Sequence, residues 1–175
     1  YISLLSLIPG SEVAKGEKAN LDAMNTISDD VKNAVKIHSI AVLEDLIKMS
    51  NLSSNDEQFE DVWGIEKGSF DGDMRDIENL GRQGYIPRSV IVQKLGSAIY
   101  NDIGFKFNGN VSSVVSEGIK TELGLFAIEV MNRSGLLDNG QDNIKLINVG
   151  SASNEKIQAL IKINKESKFY KDENG

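Results

Sequence analysis

The chain is predicted to be mainly α-helical, a multi-helix scaffold with one short β-strand or hairpin near residues 144–149. Three observations predict it. Apolar residues recur at helical spacing in four long stretches. Glycines stand where those stretches end, after Trp63, Leu80, Ile103 and Ser134. Only Asn143-Ile-Lys-Leu-Ile-Asn-Val149 has β character, through Ile144, Leu146 and Ile147. One such strand is not stable by itself, so it needs a partner that the sequence leaves unidentified.

The opening run Ile2-Ser-Leu-Leu-Ser-Leu-Ile8 stops at Pro9-Gly10. It is too short to span a bilayer and has no basic flank, so a buried helix or strand is expected rather than a leader or membrane anchor. Tyr1 in place of methionine, the clipped opening run and the polar end from Lys168 predict a segment of a longer chain. Residues 9–20 are turn-rich and read as a linker. A first long helix is expected from about Ser28, with Asp29 and Asp30 in its first turn, where the macrodipole favours acids. Val31, Ala34, Val35, His38, Ala41, Val42, Asp45, Leu46 and Met49 follow its period, and Ser50-Asn51 should stop it by bonding the backbone.

A short helix follows with Ser54 or Asn55 as cap, Phe59, Val62 and Trp63 on one face, and Gly64 as its stop. Met74, Ile77 and Leu80 make another, stopped by Gly81. Residues 84–87 read as a connector to a helix from Arg88 to Ile103 with Val92, Leu95 and Ile99 on one stripe. Phe105 to Gly109 is a loop. The next helix begins near Ser112, turns Val115, Ile119, Leu123, Phe126, Ala127 and Val130 inward, and ends at Gly135. Gly96, Gly118 and Gly124 fall inside helices, where each costs about 1 kcal/mol against alanine. Close helix packing is the expected reason. A last helix is predicted from about Ser153, through Ile157, Leu160 and Ile161. The expected organisation is an opening segment and linker over 1–27, a helical core over 28–135, and a strand plus C-terminal helix over 136–175.

Composition narrows the chemistry. The chain has 175 residues, 40% of them apolar and 26% charged, which suits a folded domain. A formal net charge of −7 argues against a generally basic nucleic-acid coat, because Lys and Arg dominate phosphate binding. With no cysteine there is no disulfide, thiolate metal site or cysteine nucleophile. His38 is the single histidine and has neither a second histidine nor an acid at metal spacing in the sequence, so a hydrogen-bonded helix residue is expected. No serine sits in a Gly-x-Ser-x-Gly elbow. Asp71-Gly-Asp73 resembles the start of a calcium loop, but Arg75 stands where a ligand belongs; a turn and an acidic helix start explain it better. Gly81-Arg-Gln-Gly84 lacks the spacing and the Lys-Ser/Thr of a phosphate loop. No catalytic residue is assigned.

Charge changes near the end. Lys145, Lys156, Lys162, Lys165, Lys168 and Lys171 face only Glu155 and Glu166 across that span, with Phe169 and Tyr170 among them. Lysines interleaved with aromatics suit single-stranded nucleic acid, through phosphate neutralisation and base stacking. The plainer reading is a solvated lysine face on an amphipathic helix.

The segment Arg88-Ser-Val-Ile-Val-Gln-Lys-Leu-Gly-Ser-Ala-Ile-Tyr-Asn-Asp-Ile-Gly104 resembles a helix of the phage single-subunit RNA polymerases. The family's next landmark, a helix ending in small-Ser/Thr-Gly-hydrophobic, is matched by Leu123-Gly-Leu-Phe-Ala-Ile-Glu-Val-Met-Asn-Arg-Ser-Gly-Leu136. A short strand and a further helix then correspond to Lys145–Val149 and residues 154–162. Within the family the similarity is to the virion RNA polymerases that some podophages package and inject with their DNA. There Ser28 to Leu46 and Asp61-Val-Trp-Gly-Ile65 also find counterparts. The resemblance covers about Ser28 to Gly150 and rests on spacing, ordered glycines and element order.

What the resemblance implies is part of the N-terminal domain of a DNA-directed RNA polymerase, acting in the virion and then in the bacterial host cytoplasm. Such a domain holds promoter or template DNA, which the virion subgroup reads as a hairpin. Its partners are that DNA and the remaining parts of the polymerase. The palm aspartates that hold magnesium and the fingers helix are not in this sequence, so no cofactor is expected in this chain. The resemblance places Lys145 near hairpin DNA and Tyr1 where an aromatic could stack on a hairpin base. Lys156, Lys162 and Lys165 join them on charge. The alternative is a non-catalytic helical structural or binding module of a phage particle.

Overall fold

A computed structural model describes residues 17–104, 112–138 and 144–164, the first twelve of these as backbone only. The expected opening helix or strand at residues 2–8, residues 9–16 of the linker, the loop from Phe105 to Gly109 and the polar end lie outside the described residues. Those described form five helices, α1 (Glu17–Ser50), α2 (Phe59–Trp63), α3 (Met74–Arg82), α4 (Arg88–Ile103) and α5 (Ser113–Arg133). Four short strands accompany them: β1 (Tyr85–Pro87), β2 (Leu137–Asp138), β3 (Lys145–Asn148) and β4 (Ile157–Ile163). The class is mainly α with a small antiparallel sheet.

The chain divides into two compact units, one of Tyr1–Val42 with Val92–Val130, the other of Leu43–Ile91 with Met131–Gly175. The first is built from helices. Helix α1 begins at Glu17 rather than near Ser28, because Glu17-Lys-Ala-Asn-Leu-Asp-Ala-Met24 contains good helix formers and no Gly or Pro. Residues 17–20 therefore belong to the helix, not to a linker. Val31, Ala34, Val35 and Val42 are buried as their spacing predicts, while Ala41 is exposed and Ser39 is buried instead. The stripe is thus rotated slightly from the one the sequence suggests. On α4, Val92, Leu95, Ile99 and Ile103 are buried, and on α5 Ile119, Leu123, Ala127 and Ile128. Val115, Phe126 and Val130 are only half-buried. Gly96 lies against the Lys120 carbonyl and Gly124 against that of Val92, so α4 and α5 meet backbone to backbone.

The second unit holds the sheet. Helix α1 ends at Ser50 as expected, with Ser50 Oγ and Asn51 Nδ2 both donating to the Ile47 carbonyl at 2.8 and 3.0 Å. On α2, Phe59, Val62 and Trp63 are all buried, and Gly64 closes it in the left-handed region at φ 71°. Neither Ser54 nor Asn55 caps it; the preceding residue is Gln58, with no side-chain cap. Helix α3 starts at Asp73, whose carboxylate accepts from the Arg75 backbone N–H at 2.9 Å. Gly81 does not stop α3 but sits in its last turn, where any side chain would overlap the Ser50 carbonyl. The reversal falls instead at Gly84, φ 102°.

The Asp73 carboxyl is held below the usual carboxylate range by its side-chain bond to Arg75 and by the cap. A depressed folded-state pKa means the cap's contribution is present above the unfolded value and is lost as pH falls through the folded one. Amide protection factors in the first turn of α3, corrected for the intrinsic pH dependence of exchange, are therefore expected to fall in acid. Asp73→Asn, which keeps an acceptor without the charge, should remove that acid dependence; unchanged dependence would assign it to another group.

Two expectations for the sheet are corrected. Residues 84–87 are not a simple connector, since Tyr85–Pro87 is strand β1. Residues 157–163 are strand β4 rather than a C-terminal helix. Ile157, Leu160 and Ile161 fit a helical period, but Ile157, Ala159, Ile161 and Ile163 fit a period of two equally well. Three isoleucines and the available partners decide for the strand. β4 is the centre of the sheet: β1 pairs along one edge, with Tyr85 opposite Lys162 and Pro87 opposite Leu160. β2 and β3 follow each other along the other edge, Leu137 opposite Ile163 and Lys145 opposite Leu160. β4 is thus the partner that β3 required.

Candidate functional site

Alternation along β4 sorts the sheet into two faces. Lys162, Leu160 and Gln158 share one face with Tyr85, Asp138, Lys145 and Ile147, by direct register. Toward the β3–β4 turn this face is closed by α2: Gln158 Nε2 donates to the Trp63 carbonyl at 3.2 Å. At the other end it is open. There the Lys145 ammonium stands 5.8 Å and the Lys162 ammonium 6.0 Å from the centroid of the half-buried Tyr85 ring. Each contact is at the outer range of a cation–π interaction, of about 0.5–1 kcal/mol at an exposed site.

Lys162 lies directly across from Tyr85, and Lys145 reaches the ring diagonally over β4. The aliphatic stems therefore line the sheet and bring the two ammonium groups to one aromatic. Such a cluster can neutralise a phosphate while offering a ring for a base to stack on. Exposed Asp138, across β4's other edge from Lys162, lowers the local positive field.

Of the basic residues expected to act together, the structure joins Lys145 and Lys162. Exposed Lys156 stands apart, at the turn, where its backbone N–H donates to Asn148 Oδ1 at 2.9 Å. Along β4 it is six residues from Lys162, roughly 20 Å. Tyr1 and Lys165 lie outside the described residues. Tyr85 was not singled out by sequence. An aromatic beside a β-branched residue, ahead of a proline that tolerates a strand edge, is the signal for it.

His38 is not part of this cluster. Its Nε2 lies 2.9 Å from Asp102 Oδ2, linking α1 to α4 through two half-exposed side chains. The acid lies 64 residues away in sequence, so no local pattern could show it. This reads as a helix-to-helix bond. Asp71 accepts from the Ala152 N–H at 3.0 Å and Asp73 caps α3, which gives both acids of the calcium-like segment structural partners. Among the described residues no group of three or more His, Cys, Asp or Glu is arranged to hold a metal ion. Nor is any described helix long and apolar enough to cross a membrane.

Comparison of the chain with family models, curated proteins and solved structures returns no match.

Proposed function

We propose that this chain is a non-catalytic, DNA-engaging part of the N-terminal domain of a phage virion-type DNA-directed RNA polymerase. The polymerase assignment rests on the resemblance between Ser28 and Gly150. The observation that carries DNA engagement is the convergence of Lys145 and Lys162 on Tyr85. Promoter or template DNA is the ligand, with phosphates at the two ammonium groups and an unpaired base against the Tyr85 ring. Magnesium belongs to palm aspartates outside this sequence, so no step of polymerisation is derived for these residues. The virion and then the host cytoplasm are the places of action under this reading.

The test is fluorescence-anisotropy titration with a short single-stranded DNA hairpin over a range of salt, using an unstructured strand as control. Hairpin affinity is expected to fall as salt rises, because bound phosphates release counterions. Lys145→Ala or Lys162→Ala should each reduce the salt slope by about one. Tyr85→Ala should cost about 1–3 kcal/mol of affinity at every salt concentration. Unchanged slope and affinity in all three variants would remove this cluster from DNA binding. The polymerase assignment is checked separately: the coding frame, or that of a partner chain, should encode the palm aspartates and the fingers lysine and tyrosine.

The second reading, a helical structural or binding module of a phage particle, is favoured by the net charge of −7. No hairpin binding by a demonstrably folded sample would select it.

A further inference from the structure

The sheet's other face leads elsewhere. Ile161 and Ile163 on that face are buried together with Ile86 and Leu137, but the row continues into solvent toward β3. Leu146, opposite Ala159, is 66% exposed, and Ile157, opposite Asn148, is 55% exposed. Ile144, immediately before β3, is 46% exposed. Three of the five large apolar side chains that the described residues expose thus lie on one hairpin. Clustered exposure of this kind marks interaction surfaces, unlike single exposed residues.

The hairpin also offers backbone. β4 occupies one edge of β3, and among the described residues no strand pairs with the other. Alternate residues of β3 therefore present N–H and C=O groups outward, a template for another strand. The two faces beside that edge differ in chemistry. Leu146 lies on one, and exposed Lys145 on the other. Exposed Lys156 is on the Lys145 side, since the Val149 N–H bond to its carbonyl continues the ladder.

We propose that the outer edge of β3 binds an extended segment of a partner protein by strand addition, with apolar and acidic side chains alternating in that segment. Its apolar side chains cover Leu146 and Ile157, and its carboxylates face Lys145. Charge selects this occupant. A second copy sets another Lys145 beside the first in a parallel in-register pair, and sets Lys145 opposite uncharged Ile147 or Asn148 in an antiparallel one, so neither arrangement neutralises it. An acidic segment neutralises that lysine, and every second side chain falls on the apolar row. The apolar contact at Leu146 is separate from the DNA reading, because Leu146 is on the opposite face from Tyr85, whereas Lys145 is shared by the two.

The experiment is a ¹H–¹⁵N NMR titration of the whole chain with an acetylated, amidated peptide Glu-Val-Thr-Val-Glu, against Lys-Val-Thr-Val-Lys. The acidic peptide is expected to shift and protect amides of residues 145–148 and to bind about 2- to 5-fold better than the basic one, the scale of exposed ion pairs. Leu146→Ser should weaken it about tenfold, the loss of one covered leucine, and leave hairpin-DNA affinity unchanged. Leu146 is exposed, so that variant is expected to fold; Ile157→Thr repeats the test from β4. Overturning results are no response of residues 145–148 while the β4 amides show an intact hairpin, equal binding of the two peptides, or unchanged binding by Leu146→Ser. Shifts at residues 145–148 that follow protein concentration without peptide would assign the edge to a second copy and also overturn the proposal.

Discussion

Trp63→Ala is expected to cost about 3–5 kcal/mol, the range for deleting a large buried aromatic. Trp63 is 0% exposed and is the largest by volume of the fully buried side chains among the described residues. It packs against Phe59, ring centroids 6.4 Å apart, on a helix of only five residues. So short a helix has little stability of its own, since nucleation is unfavourable and tertiary packing must supply the rest. The indole also lies beneath Gly81, where α3 touches the end of α1, and the Trp63 carbonyl receives Gln158 from β4. Removing the ring should therefore loosen α2, α3 and the turn end of the sheet together.

Against a typical domain stability of about 5–15 kcal/mol, that loss is a large share. Urea unfolding followed by far-UV circular dichroism measures it; Trp63 is the single tryptophan, so its fluorescence cannot report on this variant. Trp63→Phe is the informative companion. The indole N–H is buried without an acceptor among the described residues, so phenylalanine removes a poorly satisfied donor while keeping much of the ring. It should cost far less than alanine. Equal losses would show that ring volume is not what holds this corner.

The second large effect runs against local propensity. Gly96→Ala and Gly124→Ala each replace a mid-helix glycine, a change worth about 1 kcal/mol in favour of the helix taken alone. The structure reverses the sign. A methyl at Gly96 would overlap the Lys120 carbonyl oxygen, and one at Gly124 the Val92 carbonyl oxygen and side chain. These neighbours are helix backbone, which cannot rotate away as a flexible side chain can. The helices α4 and α5 must then separate, giving up contacts around Leu95, Ile99, Ile119 and Leu123, all fully buried. Overpacking of this kind costs about 1–3 kcal/mol per site.

The double variant should lose less than the sum of the two, because one separation of α4 from α5 relieves both overlaps. Thermal or urea midpoints of the two single variants and the double would decide it. A rise in midpoint for either single variant would mean that propensity prevails and that the crossing is not tight. Gln93→Ala, at an exposed position of α4, is the control for propensity alone.

The two glycines are a case where sequence carried the right idea without its geometry. Glycine inside a helical pattern implies close approach, yet which backbone approaches is known only once α4 and α5 are placed. Gly64 and Gly135 were more fully legible, since a helix end needs the left-handed conformation locally, and both adopt it, at φ 71° and 75°. The span Arg88–Ile103 was also read from sequence, because Pro87 fixes its start and an apolar stripe runs its whole length. Ser50 and Asn51 did what their local chemistry predicted.

The candidate site was legible in part. A lysine-rich end suggested a basic region, but it could not separate Lys162 from Lys156. Helical and strand geometries put different lysines side by side, and Tyr85 comes from a segment 60 residues before Lys145. His38 and Asp102 met only through the helices that carry them.

The sequence by itself determined the mainly helical class, most of the apolar stripes and the helix stops at Ser50, Gly64 and Gly135, since these follow from interactions within one or two turns. Only the tertiary structure decided that 157–163 is the central strand. Its apolar pattern satisfies both periods, and a strand needs hydrogen-bonding partners that a helix supplies to itself. With β1 on one edge and β2 and β3 on the other, those partners exist. The same pairing brings Lys145, Lys162 and Tyr85 together and leaves Leu146 and Ile157 in solvent, because a period of two assigns alternate residues to opposite faces.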